Sequence, residues 1–287
     1  MVLLRILIRA VLRFGRHRGG TMAAALSYYG LFSLFPLLLL LALLAATVEP
    51  TPAFRRALAG LVHLYFPGSE GVVTTALQRL NPLRGQLGLA GGAGLLWAGS
   101  GVFTVLVGAL DQVWERPRGE SRLRRRLVGL LTLLGAVVAL FLAALLSLGV
   151  GALLPGWMRA SGLGALGAGA ARLAGGLLPP LLVWGALLLL YRFLPSQGPP
   201  LAEVWPGSLV AALGVELLRR GFALYAARLT RLHAVYGSLA TGVLLLFWIY
   251  LVAAVVLFGA EVSAAYGRWR RGQADEEAEG AGWLLRL

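Results

Sequence analysis

Residues 232–260 read LHAVYGSLATGVLLLFWIYLVAAVVLFGA and contain no Asp, Glu or Arg. About 20 apolar residues in helix cross the hydrocarbon core of a bilayer. Backbone N–H and C=O groups in lipid must bond within the segment, so this stretch is predicted to be a membrane-spanning helix. Four further stretches, 19–48, 85–110, 127–158 and 173–191, are also free of Asp, Glu and Arg.

Composition agrees with lipid as the second solvent. The 287 residues are 59% hydrophobic and only 13% charged, where a soluble domain carries roughly 25% charged residues. Mean hydropathy is +0.79. The net charge of +14 admits two readings, nucleic-acid binding or membrane orientation by basic loops. Every basic residue apart from the histidines is Arg. Without Lys there is no Walker A phosphate loop and no Schiff-base amine. Without Cys there are no disulfides, thiol nucleophiles or cysteine metal sites.

A sixth span is less plain. Residues 204–227 are apolar except for Glu216, Arg219 and Arg220. Each charge costs about 2.5–3.5 kcal/mol near a helix centre on insertion scales. The cost falls where the arginines reach the interface. From Glu203 to Arg220 a helix rises about 26 Å, enough for a short span.

The N-terminal stretch MVLLRILIRAVLRF carries Arg5, Arg9, Arg13 and Arg16 at helical spacing among apolar residues. It lacks the uninterrupted core and cleavage site of a signal peptide. It is expected to be an amphipathic helix, residues 1–18, binding the anionic membrane surface through these four arginines. Five arginines lie in this segment and six in 111–127, against four in 49–86 and two in 155–172. The bias puts the N-terminus and the 111–127 loop in the cytoplasm. Arginine totals are 16 inside and 10 outside whether five or six spans are counted, so charge alone leaves the number of spans open. Trp114, Trp157, Trp205, Trp269, Tyr191 and Tyr266 fall near span ends, as interfacial aromatics do. The 49–86 loop, punctuated by prolines, is expected outside. The acidic tail GQADEEAEG is expected to be disordered.

Several residues are candidates for a substrate path. Pro36 in the first span removes a backbone donor and crowds the carbonyl of Phe32. Tyr28, Tyr29 and Ser33 cluster in the turns before it. Either they line a path at a kink, or neighbouring helices satisfy them. Ser100 follows a run of small residues, including the GxxxG pair Gly88 and Gly92, which favour close helix approach. Glu216 pairs along one face with Arg219 and Arg220. Glu261, near the inner end of the last span, either serves the path or joins an interfacial network with Arg268. Gly259, Ser263 and Gly267 form the small-residue face opposite it.

Enzyme signals fail. Gly162, Gly164 and Gly167 fit GxGxxG but follow a span rather than a strand. His17, His63 and His233 lack metal-ligand spacing, and no His within a span activates Ser100. Neither a metal nor a cofactor is expected.

The segments AAALSYYGLFSLFPLLL (23–39), LLWAGSGVFTVLVGALDQVWE (95–115), YRFLP (191–195), WPGSLVAALGVELLRRGFALY (205–225) and VYGSLATGVLLLFWIYLVAAVVLFGAE (235–261) stand in this order. Together they resemble the YihY/BrkB family of bacterial inner-membrane proteins, from about residue 20 to 266. The resemblance implies an all-α polytopic protein with six transmembrane helices and both termini cytoplasmic. The spans are then about 22–48, 87–110, 128–154, 173–192, 203–226 and 236–262 within a domain 19–267, with a tail 268–287. Some members of the family were once labelled ribonuclease BN; this sequence has no carboxylate or histidine cluster for RNA hydrolysis. The expected function is transport of a lipid, an envelope precursor or a small solute across the inner membrane, without nucleotide hydrolysis. The alternative is a non-transporting scaffold or envelope-assembly factor. Membrane lipids and a second copy of the chain are the expected partners, and nucleic acid is not.

Overall fold

The computed structural model describes residues 2–47, 101–102, 104–115, 164–196, 198–228 and 230–272. All regular structure among them is helical. In chain order the helices are α1 (Val2–Arg16), α2 (Gly19–Thr47), α3 (Thr104–Val113), α4 (Gly164–Phe193), α5 (Leu201–Arg228) and α6 (Thr230–Arg270). The expected loop 49–86, the span 128–154, most of the span 87–110 and the tail beyond residue 272 lie outside the described residues.

Two helical stretches, Leu201–Phe222 and Gly242–Arg270, are long and apolar enough to cross a membrane. Their surfaces fit hydrocarbon. Leu209, Leu213 and Leu217 recur every four residues on α5 and are exposed, as are Val243 and Phe247 on α6. An outward leucine strip of this kind costs apolar hydration in water and nothing in lipid.

α5 and α6 form an antiparallel pair held by small residues. A Cβ on Gly207 would collide with the Gly259 carbonyl and with Ser263, and one on Gly214 would lie 2.7 Å from Val255 Cγ1. Backbone approach this close requires glycine. Ser263 Oγ donates to the Val204 carbonyl at 3.0 Å, which satisfies a buried hydroxyl between the helices. The small-residue face of α6 expected from the sequence is therefore the α5 contact. α4 joins the pair through Trp184 Nε1, which donates to Ser208 Oγ at 3.1 Å, and through Tyr191 Oη, which donates to the Val256 carbonyl.

Two of the aromatics expected near span ends pack inside the protein. Trp114 and Tyr191 are buried with ring centroids 6.1 Å apart. Their polar tips were the reason to expect them at the interface, but the Tyr191 tip finds its partner on α6. Trp205 and Trp269 are exposed and bracket Tyr266, at centroid distances of 6.4 and 5.8 Å.

The corner between α1 and α2 is sharp. Arg18 takes a left-handed φ of 54°, and its N–H donates to the Gly15 carbonyl at 3.0 Å. Gly19 follows because the Phe14 ring occupies the space a Cβ would need. α2 then runs helically through Pro36 to Thr47.

Candidate functional site

Charged side chains converge where α1, α3 and the end of α6 meet. α1 docks on α6 by burying Ile6 and Ala10 against Val262 and Ala265. Phe14 meets Phe258 edge-on with centroids 6.2 Å apart. That packing carries His17, one residue past α1, onto α6. His17 Nδ1 lies 2.6 Å from Glu261 Oε1, and the Glu261 side chain is 1% exposed. Arg13 and Arg268 lie near enough to add attractive charge. A carboxylate at this depth needs such partners, because desolvation penalises an isolated charge by several kcal/mol.

The end of α3 completes the cluster. Glu115 ion-pairs with the buried Arg13, and its Oε1 lies 3.6 Å from Arg16 Nη2 and 3.6 Å from His17 Nε2. Glu115 itself has a left-handed φ of 50°. Two non-glycine residues in the left-handed region, Arg18 and Glu115, thus flank one polar cluster. Such backbone costs of order 1 kcal/mol each and persists where surrounding contacts hold it.

The second carboxylate oxygen of Glu261, Oε2, has no hydrogen-bond partner among the described residues. A small cavity is lined by Glu261, His17, Gly19, Met22, Gln112 and apolar neighbours from α1, α3 and α6. The space suits about one water molecule. Chemically, the arrangement can bind and release a proton or hold a polar group between α2, α3 and α6. Among the described residues no group of three or more His, Cys, Asp or Glu has the arrangement of a metal site.

Glu216, Arg219, Tyr28, Tyr29 and Ser33 lie apart from this cluster. Glu216 accepts from Arg219 Nε at 2.9 Å, Arg219 Nη2 at 2.7 Å and Arg220 Nε at 2.7 Å. Gly214 packs at the level of Val255, so Glu216 lies roughly 12 Å along the helix pair from Glu261. Tyr28 is exposed and stacks on Phe32 at 4.7 Å. The Tyr29 ring lies over Gly101, where a Cβ would be 2.6 Å from Tyr29 Cδ1. Ser33 Oγ donates to the Gly30 carbonyl of its own helix at 2.8 Å. Pro36 lies in helical backbone, and Ser100 lies outside the described residues. Of the four α1 arginines, Arg5 and Arg16 are exposed, Arg9 is half-buried and Arg13 is turned inward to Glu115.

Sequence reasoning missed three participants. His17 lacks metal-ligand spacing in the sequence, and Glu115 stands in no motif. Asp111 accepts from Ser196 N and Ser196 Oγ, both at 2.8 Å, tying α3 to the α4–α5 linker. An acidic residue at the end of an apolar run was the available signal for Asp111 and Glu115.

Residues 10–282 match the family described as Virulence factor BrkB. The chain belongs to the BrkB family. BrkB relatives include a UPF0761 membrane protein of Cronobacter sakazakii, 30% identical over 90% of this chain and 88% of the relative. A UPF0761 membrane protein of Chromohalobacter salexigens is 29% identical over 95% of this chain. This chain spans 65% of that relative's length. The "Putative ribonuclease-like protein YfkH" of Bacillus subtilis is 27% identical over 88% of this chain and 91% of its own length. No solved structure matches. With its two apolar membrane-length helices and relatives of this description, the chain is a membrane protein of the BrkB family.

Proposed function

We propose that this BrkB protein is an inner-membrane transporter that moves a lipid, an envelope precursor or a small solute without nucleotide hydrolysis. The carrying observation is Glu261, buried in an apolar helix with one oxygen on His17 and a small cavity beside its side chain. Ionisable groups in membrane spans are expensive and mark substrate or proton pathways. In this reading six helices cross the membrane, both termini are cytoplasmic, and the chain has no enzyme activity.

The path follows the seam between α2 and α3. Met22 and Tyr29 are seven residues apart, two helical turns, and share a face of α2. Along α2 the cavity at Met22 and the Tyr29–Gly101 contact are then two levels of the seam, about 10 Å apart. The His17–Glu261 contact closes the seam at its cytoplasmic end, and the Tyr29 ring closes the next level. Opening requires α1 to move relative to α6.

A second reading, a non-transporting scaffold, is favoured by the tight Gly207–Gly259 approach and the modest size of the cavity. Vesicles reconstituted with the protein separate the two. Fluorescent phospholipids and a panel of small solutes are followed in empty vesicles and in vesicles with the wild-type protein. Transport predicts at least one protein-dependent flux. Rates equal to empty vesicles for every lipid and solute favour the scaffold.

A further inference from the structure

We propose that α1 is a docking surface for an anionic lipid leaflet. The helix has three faces rather than two. Ile6, Ala10 and Arg13 turn to the protein. Leu3, Leu4, Leu7, Ile8, Val11 and Leu12 form a contiguous exposed apolar strip. Arg5, Arg9 and Arg16 run along the third face, beside that strip. No described part of the chain covers the leucines, and a six-residue apolar strip in water is unfavourable.

Charge and depth select the occupant. An apolar strip edged by arginines and carrying no acidic residue in the helix complements an anionic headgroup layer over acyl chains. Depth agrees. α1 packs at Val262 and Ala265, and the apolar stretch of α6 ends at Arg270. At 1.5 Å per residue Val262 is about 12 Å inside that end, roughly 5–7 Å below a headgroup layer about 5–7 Å thick. Tyr266 and the exposed Trp205 and Trp269 lie between Val262 and that end, where amphipathic rings collect. α1 therefore lies flat along the interface with its leucines toward the chains and its docked face toward α6. Because His17 follows α1 directly, a leaflet that holds α1 also positions the His17–Glu261 contact.

The test uses the full chain in nanodiscs, and the absence of native Cys makes single-site labelling clean. Ile8→Cys carries an environment-sensitive fluorophore; Val243→Cys, on the exposed face of α6, reports correct insertion. Discs contain phosphatidylcholine alone or with phosphatidylglycerol. The expected result is quenching of the position-8 label by doxyl-lipid, with the lipid-engaged fraction rising at least about five-fold in relative terms when phosphatidylglycerol is present. Arg5→Glu with Arg9→Glu and Arg16→Glu abolishes that rise while the position-243 label stays lipid-quenched. The lipid comparison stands without the charge variant should that variant fail to insert. Quenching by aqueous iodide in both discs overturns the proposal. Shielding from both quenchers, which signals a second copy or another protein on the strip, also overturns it. So does equal doxyl quenching with and without phosphatidylglycerol.

Discussion

His17 Nδ1 sits 2.6 Å from Glu261 Oε1, joining positions 244 residues apart across the α1–α6 contact. The contact places the first helix of the chain and the last in one electrostatic unit. Arg13 and Glu115 extend it to α3. The pair is buried, so each member compensates the desolvation of the other.

Removing His17 therefore strands a buried carboxylate. His17→Ala is expected to cost about 2–3 kcal/mol. Glu261→Gln is expected to cost less, because a neutral amide is cheaper to bury. The double variant should be less destabilised than the sum of the two. Thermal unfolding in detergent, run as a double-mutant cycle, measures the coupling; strict additivity would mean that the two side chains do not interact.

The α5–α6 seam makes a contrast between two glycines. Gly207→Ala forces a methyl into the Gly259 carbonyl and Ser263 and should cost at least about 1–3 kcal/mol. Gly221→Ala meets nothing within 4 Å and should be neutral or stabilising by up to about 1 kcal/mol through helix propensity. Equal unfolding midpoints for the two variants would contradict the close helix approach.

Much of this seam could be read in the sequence. Gly259, Ser263 and Gly267 recur every four residues, and that spacing alone names a packing face. The three-residue pattern of Glu216 and Arg219 likewise announced its own ion pair. The Glu261 site could not be read so far. Its partners come from residues 17 and 115, and no local periodicity links a turn after an interfacial helix to a carboxylate in the last span. Arg13 shows the limit of counting basic residues. It shares helical spacing with Arg9 and Arg16, yet the docking angle of α1 turns it toward Glu115. Trp114 and Tyr191 pack against each other inside the protein, a pairing that no local spacing announces.

Glu216 is neutralised twice over. Arg219→Ala alone leaves Arg220 on the carboxylate and should reduce membrane insertion little. Replacing both arginines leaves a charge in the span, at a cost of about 2.5–3.5 kcal/mol if it lies near the centre. The inserted fraction in a glycosylation-tag insertion assay should fall sharply only for the double variant. A full loss with Arg219→Ala alone would show that Arg220 does not engage Glu216.

Asp111 holds the linker between α4 and α5. Asp111→Ala removes the acceptor for both Ser196 donors and should expose residues 194–200 to faster hydrogen exchange and proteolysis. Asp111→Asn keeps one acceptor oxygen and should show a smaller effect. Unchanged exchange in the alanine variant would mean that the linker is fixed by other contacts.

In the proposed function, separating α1 from α6 at the His17–Glu261 contact opens a path through the membrane. Flux of whichever lipid or solute proves protein-dependent, measured in vesicles with wild type and His17→Ala at matched protein density, tests it most directly. A faster rate in His17→Ala, several-fold above wild type, is the predicted result. A rate unchanged from wild type, with the variant folded and inserted, would contradict it.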